Sequence, residues 1–124
     1  MKNIIYLGFA LIFSATAAHA DGDAVKGEQV AKMCEACHSF TDKTNKVGPS
    51  LVGVFGRKPA SFEGFAYSDG FKKFGESTAA WDDATLDAYL KAPMVVVPGT
   101  KMAFGGVKND AQRADLIAFI KTKQ

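Results

Sequence analysis

The segment Cys34-Glu35-Ala36-Cys37-His38 constrains this chain more strongly than any other part of its sequence. The spacing Cys-x-x-Cys-His is typical of covalent haem attachment. In that chemistry two thiols add across the two vinyl groups of one porphyrin, and the histidine that follows presents its imidazole to the iron. We therefore expect one haem c, bound through Cys34 and Cys37, with His38 as an axial ligand.

The first twenty residues have the pattern of a secretory signal peptide. Lys2 supplies a short positive region, residues 4–15 form an apolar run, and Ala18-His19-Ala20 matches an A-x-A cleavage site. The run is short for a bilayer span, and an uncleaved membrane anchor is the alternative reading. We expect cleavage after about Ala20, a single mature domain over residues 21–124, and export, to the periplasm if the source is a Gram-negative bacterium.

Three alternatives to haem attachment are open for the cysteine pair: a structural disulfide, a redox dithiol and a zinc site. An oxidising compartment favours disulfides, but a bridge between Cys34 and Cys37 closes a loop too small for a good structural staple. A redox dithiol is expected in a βαβ context, which the sequence does not indicate. A structural zinc site needs about four ligands, whereas the mature chain has two cysteines and a single histidine. Haem attachment is the favoured interpretation.

The charge balance does not indicate a nucleic-acid partner. The chain has 15 basic and 13 acidic side chains, and removal of residues 1–20 takes away only Lys2. Because the mature chain is close to neutral, it lacks the basic field that would favour nucleic acid or an anionic membrane surface. The hydrophobic fraction of 48% is that of a globular domain.

Hydrophobic spacing and capping residues predict an all-α fold with long loops and no strand. The three main helices are predicted at residues 25–35, 81–91 and 109–121. Pro93 is expected to end the second of them, and residues 94–106 to form an extended loop with a type II turn at Pro98-Gly99. Residues 61–77 show no clear period, and they allow short helical turns. Loops this long in a small domain indicate a further element in the core, which a buried porphyrin supplies.

The second axial ligand is sought among the methionines, because His38 is the only histidine after residue 20. Met33 precedes the haem motif on the same predicted helix and cannot reach the far face of the ring. Met94 lies at a predicted helix end. Met102 follows the Pro98-Gly99 turn in a loop that can bring its sulfur over the haem, so we favour Met102.

Several short segments follow one another in an order that is characteristic of a known family. They are Cys34-Glu35-Ala36-Cys37-His38, Gly48-Pro49-Ser50-Leu51, Phe55-Gly56-Arg57-Lys58, Gly64-Phe65-Ala66-Tyr67-Ser68, Trp81, Tyr89-Leu90, Pro98-Gly99-Thr100-Lys101-Met102 and Asp115-Leu116-Ile117-Ala118-Phe119. In these segments, which span essentially all of the mature chain, the protein resembles class I c-type cytochromes, in the subgroup of mitochondrial cytochrome c and its soluble bacterial relatives. The resemblance implies the class I cytochrome c fold.

The resemblance also implies roles for residues around the two iron ligands. The carbonyl of Pro49 would accept the second imidazole N–H of His38 and fix the orientation of the ring. Tyr89 would lie beside the sulfur of Met102.

A second group of matching residues would contact the haem away from the iron. Arg57, Tyr67 and Trp81 would hydrogen-bond one haem propionate, directly or through water. Thr100 would reach the other propionate, and Phe104 would cover the haem edge where electrons leave.

The function implied by the resemblance is one-electron transfer by a soluble monomer. Its partners would be respiratory or photosynthetic redox proteins, namely a bc-type complex and an oxidase, a reaction centre or a dehydrogenase. The protein would dock transiently at such membrane complexes. The alternative is a haem enzyme of the peroxidase type, which needs an exchangeable sixth ligand. Met102 argues against that alternative.

Two stretches depart from the family pattern. Residues 71–77 form a longer segment than in mitochondrial forms, and residues 94–97 are apolar where mitochondrial proteins are rich in lysine. We expect partner docking at an exposed haem edge with both basic and apolar residues around it. These residues are Lys32, Lys46, Lys91 and Lys101, with Val95 and Val96 nearby.

Overall fold

The computed structural model describes residues 22–124, which form helices joined by loops. The helices are α1 (Ala24–Glu35), α2 (Asp69–Ser77), α3 (Asp83–Lys91), α4 (Pro93–Val96) and α5 (Asp110–Lys121). No strand occurs in this range, so the predicted all-α fold is confirmed. The predicted signal segment lies outside the described residues. Between residues 22 and 124 no helix has the length and apolar character needed to cross a membrane.

The three helices expected from the sequence begin where short polar side chains cap them. The carboxylate of Asp23 accepts hydrogen bonds from the amides at the start of α1, the nearest at 2.9 Å. Asp82 caps α3 through the amide of Thr85 at 2.8 Å, and Asn109 caps α5 through the amide of Gln112 at 2.9 Å. Each cap satisfies an amide that has no partner inside its helix. The predicted bounds of these three helices agree with the structure to within two residues.

The second half of residues 61–77, where the sequence allows short helical turns, forms the nine-residue helix α2. Ser68 caps this helix by accepting from the amide of Phe71 at 3.1 Å. Phe71 and Phe74 pack against the core, although the helix also contains two glycines, Gly70 and Gly75. Glycine disfavours helices in isolation, so packing of the two phenylalanines compensates for weak local propensity.

Pro93 ends α3 as predicted, but it also begins the short helix α4. Its fixed φ and missing N–H suit the first position of a helix. The extended loop therefore starts at Val97 rather than at Met94, and Val97 is fully buried at the point where the loop leaves α4.

Helices α1 and α5 cross in close contact at Gly27. A Cβ atom on Gly27 would lie 1.9 Å from the carbonyl oxygen of Asp115 and 2.8 Å from the Cβ of Phe119. Only glycine allows the two backbones to approach this closely. Ala31 and Leu116 are both fully buried, and this packing brings the end of α1, with the haem motif, onto the core.

Arg113 of α5 is buried, which the sequence did not indicate. Its guanidinium contacts Asp87 of α3 at 2.6 Å, Asp110 at 2.7 Å and the carbonyl of Val107 at 2.9 Å. All three contacts are charge-assisted, which makes them stronger than neutral hydrogen bonds. They connect α5 to α3 and to the chain segment that follows Met102.

Replacement of Gly27 with alanine tests the α1–α5 crossing. The added methyl group meets main-chain atoms that cannot rotate away, so we expect the free energy of unfolding to fall by about 1–3 kcal/mol. Urea unfolding of the holoprotein measures this change. The control is Gly105→Ala, because a Cβ there meets no atom within 4 Å. Equal stability of the two variants would contradict the proposed close packing.

Candidate functional site

A cavity of about 270 Å³ lies at the centre of the helices, and most of its wall is apolar. Leu86 and Leu90 of α3 and Leu116 and Ile120 of α5 form part of this wall. The cavity also brings together every site residue predicted from the sequence. These residues are Cys34, Cys37, His38, Pro49, Arg57, Tyr67, Trp81, Tyr89, Thr100, Met102 and Phe104.

The haem motif occupies the end of α1 and the turn that follows it. The amides of Cys37 and His38 both donate to the carbonyl of Cys34, at 3.1 and 2.9 Å. This turn holds both thiols and the imidazole at the cavity. Burial raises the pKa of Cys34 to about 11, so its thiol is neutral before it reacts.

A hydrogen bond and a close backbone contact fix the ring of His38. Its Nδ1 donates to the carbonyl of Pro49 at 2.7 Å, which leaves Nε2 without a proton and able to bind a metal. Burial lowers the pKa of His38 and so favours the neutral imidazole. Gly48 lies against the ring, since a Cβ there would be 2.3 Å from Cε1. The predicted contact with Pro49 is present.

Met102 is presented by the loop that leaves α4. The amide of Thr100 donates to the carbonyl of Val97 at 3.1 Å, and Gly99 has a φ of +80°, which together confirm the predicted type II turn at Pro98-Gly99. The amide of Met102 then donates to the hydroxyl of Thr100 at 3.3 Å. These bonds hold the thioether at the cavity wall.

Tyr89 of α3 contacts the same loop from inside the core. Its hydroxyl donates to the sulfur of Met102 at 3.5 Å and lies 3.3 Å from the hydroxyl of Thr100. Burial raises the pKa of Tyr89, so the phenol keeps the proton that it donates. The predicted proximity of Tyr89 to Met102 is present.

The rings of Tyr89 and Trp81 belong to a group of aromatic side chains that line the cavity, and the sequence predicted only some members of this group. Their centroids are 5.1 Å apart, and Phe71 of α2 lies 6.0 Å from Trp81 and 5.6 Å from Tyr89. Phe71 lines the cavity, yet it was not among the predicted site residues. The signal for it was its position three residues after the capping Ser68 and three before Phe74, which places both phenylalanines on one face of a helix.

Arg57 and Tyr67 place polar groups in this mostly apolar wall. Arg57 donates to the carbonyl of Ser50 at 3.0 Å, and its guanidinium lies 4.5 Å above the ring of Phe62. The hydroxyl of Tyr67 accepts from the amide of Phe62 at 3.1 Å. Burial lowers the pKa of Arg57, but the guanidinium remains charged at neutral pH. An anionic group in the cavity would find a cation here.

The residues at the cavity fit a covalently bound haem. Two thiols separated by two residues can each form one thioether bond, and an imidazole and a thioether sulfur are both known ligands of haem iron. The apolar wall suits a porphyrin face, and the cation at Arg57 suits a propionate.

Comparison with known proteins gives the same result. The sequence model of the family described as cytochrome c matches residues 24–124. Cytochrome c2 of Rhodomicrobium vannielii is 50% identical over 121 residues, which cover 97% of this chain and 94% of that protein. Cytochrome c of Gibberella zeae is 47% identical over 104 residues, covering 82% and 95%. The solved structure of cytochrome cH from Methylobacterium extorquens is 45% identical, covers 82% of this chain and 100% of its own, and superposes with a TM-score of 0.75.

The fold and the site define a c-type cytochrome of class I with a single haem motif. The chain belongs to the cytochrome c family. It carries covalently bound haem c, acts as an electron carrier rather than as an enzyme, and exchanges electrons with redox partner proteins.

Proposed function

We propose that His38 and Met102 are the two axial ligands of the haem iron, and that the chain carries one electron at a time with both ligands retained. The observation that carries this proposal is the hydrogen bond of 3.5 Å from Tyr89 to the sulfur of Met102. It holds the thioether at the cavity that His38 also lines. The bond to Pro49 holds His38 in the matching way.

A haem held by these residues would supply the redox chemistry, through an iron that can be ferrous or ferric. The protein residues set the conditions for it. A thioether ligand from Met102 favours the ferrous state, and the hydrogen bond from Tyr89 orients that sulfur. Leucine, isoleucine and aromatic side chains make the cavity wall mostly apolar, and an apolar wall around a bound haem would reduce the solvent reorganisation that accompanies a change of charge.

We further propose that the polar groups at the cavity bind the haem propionates. The charged guanidinium of Arg57 and the hydroxyl of Tyr67 support this assignment for one propionate, together with Trp81. The hydroxyl of Thr100 is proposed to bind the other. Phe104 is half-buried at the cavity and is proposed to cover the haem edge.

Substitution of the three methionines after residue 20 tests the ligand assignment. Met102→Ala is expected to abolish the iron–methionine charge-transfer band of the ferric protein and to lower its reduction potential, because a thioether ligand is lost. The matched controls are Met33→Ala and Met94→Ala, since both side chains are more than half exposed. They should keep the band. A band that persists in Met102→Ala, or is lost in a control, would contradict the assignment.

We propose that the protein is a periplasmic monomer, with residues 1–20 removed as a signal peptide and residues 21–124 forming its single domain. The A-x-A site at Ala18-His19-Ala20 supports this proposal, and so does the resemblance to proteins named cytochrome c2. Its specific partners are proposed to be a bc-type complex and an oxidase, a reaction centre or a dehydrogenase in a respiratory or photosynthetic chain. The intact mass of the exported holoprotein tests the cleavage: a mass that includes residues 1–20 would contradict it.

Partner docking is proposed to occur where the cavity reaches the surface. Exposed Met33 and Val47 line the cavity there. Of the two valines expected nearby, Val95 is 78% exposed, and Val96 is half-buried and packs against the core. The surface is therefore proposed to be partly apolar, and the basic residues around it are Lys32, Lys46, Lys91 and Lys101.

A charge reversal at Lys32 tests this surface. Lys32 precedes the cavity-lining Met33, so Lys32→Glu is expected to slow electron transfer to an acidic partner about three- to tenfold at low ionic strength, with the difference vanishing at high salt. Lys26→Glu is the matched control, because Lys26 is exposed on the same helix and does not line the cavity. Stopped-flow rates across a salt series measure the effect. Equal rates for both variants at low salt would contradict docking at this surface.

A further inference from the structure

Helix α2 packs directly against the turn that precedes Met102. A Cβ atom on Gly70 would lie 2.0 Å from the carbonyl oxygen of Pro98 and 3.8 Å from the Cα of Gly99. A contact of 2.0 Å is impossible for a real side chain, so the turn can occupy this position only because residue 70 is glycine.

The geometry of the turn explains why its carbonyl group is the atom in contact. In a type II turn the peptide between the two central residues is flipped, here the peptide between Pro98 and Gly99. Fully buried Val97 anchors one end of the turn, and Thr100 at the other end bonds to the amide of Met102. A displacement of Pro98 is therefore transmitted along a short, hydrogen-bonded segment to Met102.

A second contact connects the same helix to Met102 through Tyr89. The ring of Phe71 meets the ring of Tyr89 edge-on, with centroids 5.6 Å apart. The hydroxyl of Tyr89 in turn donates to the sulfur of Met102. Residues 70 and 71 of α2 thus contact both the backbone of the Met102 loop and the side chain that orients its sulfur.

The opposite end of α2 makes a close contact of a different kind. A Cβ on Gly75 would lie 2.5 Å from the carbonyl oxygen of Pro59 and 3.2 Å from the Cβ of Ala60. Gly75 therefore packs against the turn at residues 59–60 and not against the Met102 loop. Substitutions at these two glycines therefore distinguish the effect of losing contact with the Met102 loop from the effect of disturbing the packing of α2 in general.

We infer that α2 positions the sixth ligand of the iron: Gly70 lets the Pro98-Gly99 turn seat against the helix, and this contact limits the fraction of molecules in which Met102 has left the iron. The inference rests on the proposed ligation by Met102. Gly70 and Phe71 are positioning residues, because they act on the iron only through the loop and through Tyr89.

Exogenous imidazole reports the displaced fraction, since it binds the ferric iron only where Met102 has left. Its apparent affinity rises in proportion to the population of that state. Gly70→Ala forces the turn away from α2, and we expect imidazole to bind the ferric holoprotein about tenfold more tightly, with a weaker iron–methionine band before addition. Gly75→Ala is the matched control and should change the affinity less than about twofold.

A milder pair of variants keeps the test valid if Gly70→Ala does not fold. Ser68→Ala removes the side chain that caps α2, and we expect about threefold tighter imidazole binding as the start of the helix frays. Asn109→Ala removes the equivalent cap of α5 and should leave the affinity near that of the natural protein. A stability effect alone would act similarly in both variants.

The outcomes separate this inference from the ligand assignment on which it rests. If the natural ferric protein lacks the iron–methionine band, both the ligand assignment and the inference that rests on it are refuted. If the band is present and the Gly70→Ala and Ser68→Ala variants bind imidazole no more tightly than their controls, the positioning role of α2 is refuted while the ligand assignment stands.

Discussion

The hydrogen bonds that hold two side chains at one central cavity are the constraint on which the rest of the structure depends. The carbonyl of Pro49 orients His38, and the hydroxyl of Tyr89 orients Met102. The bond to His38 joins two loop residues, and the bond to Met102 joins a loop to α3. The helices around the cavity hold these loops in place, and the partial burial of each bond strengthens it.

Close backbone contacts at glycines explain how a short chain can hold these two side chains at one cavity. Gly27 brings α1 onto α5, Gly48 lets the chain pass against the ring of His38, and Gly70 admits the turn before Met102. At each glycine the main chain directly contacts other main-chain atoms or a ring, where a different residue would place a side chain. A domain of this size has few side chains to bury, so such contacts leave the central volume to the porphyrin.

The sequence predicted those parts of the site that depend on local chemistry. The haem motif, the caps of α1, α3 and α5, and the type II turn at Pro98-Gly99 follow from neighbouring residues alone. Family resemblance added residues such as Arg57 and Trp81, which the structure brings to the cavity. The full length of α2 and the burial of Arg113 were not predicted, because they depend on tertiary packing: Phe71 of α2 contacts aromatic rings of the core, and Arg113 pairs with Asp87 on another helix.

Proton NMR of the ferrous protein, labelled with ¹³C in its methionine methyl groups, tests the central claim most directly. A methionine bound to haem iron holds its methyl group over the ring, where the ring current shifts the resonance far upfield. Of the methionines after residue 20, we predict that Met102 alone shows this shift, while Met33 and Met94 resonate in the ordinary range. An ordinary resonance for Met102, or an upfield resonance from another methionine, would contradict the account.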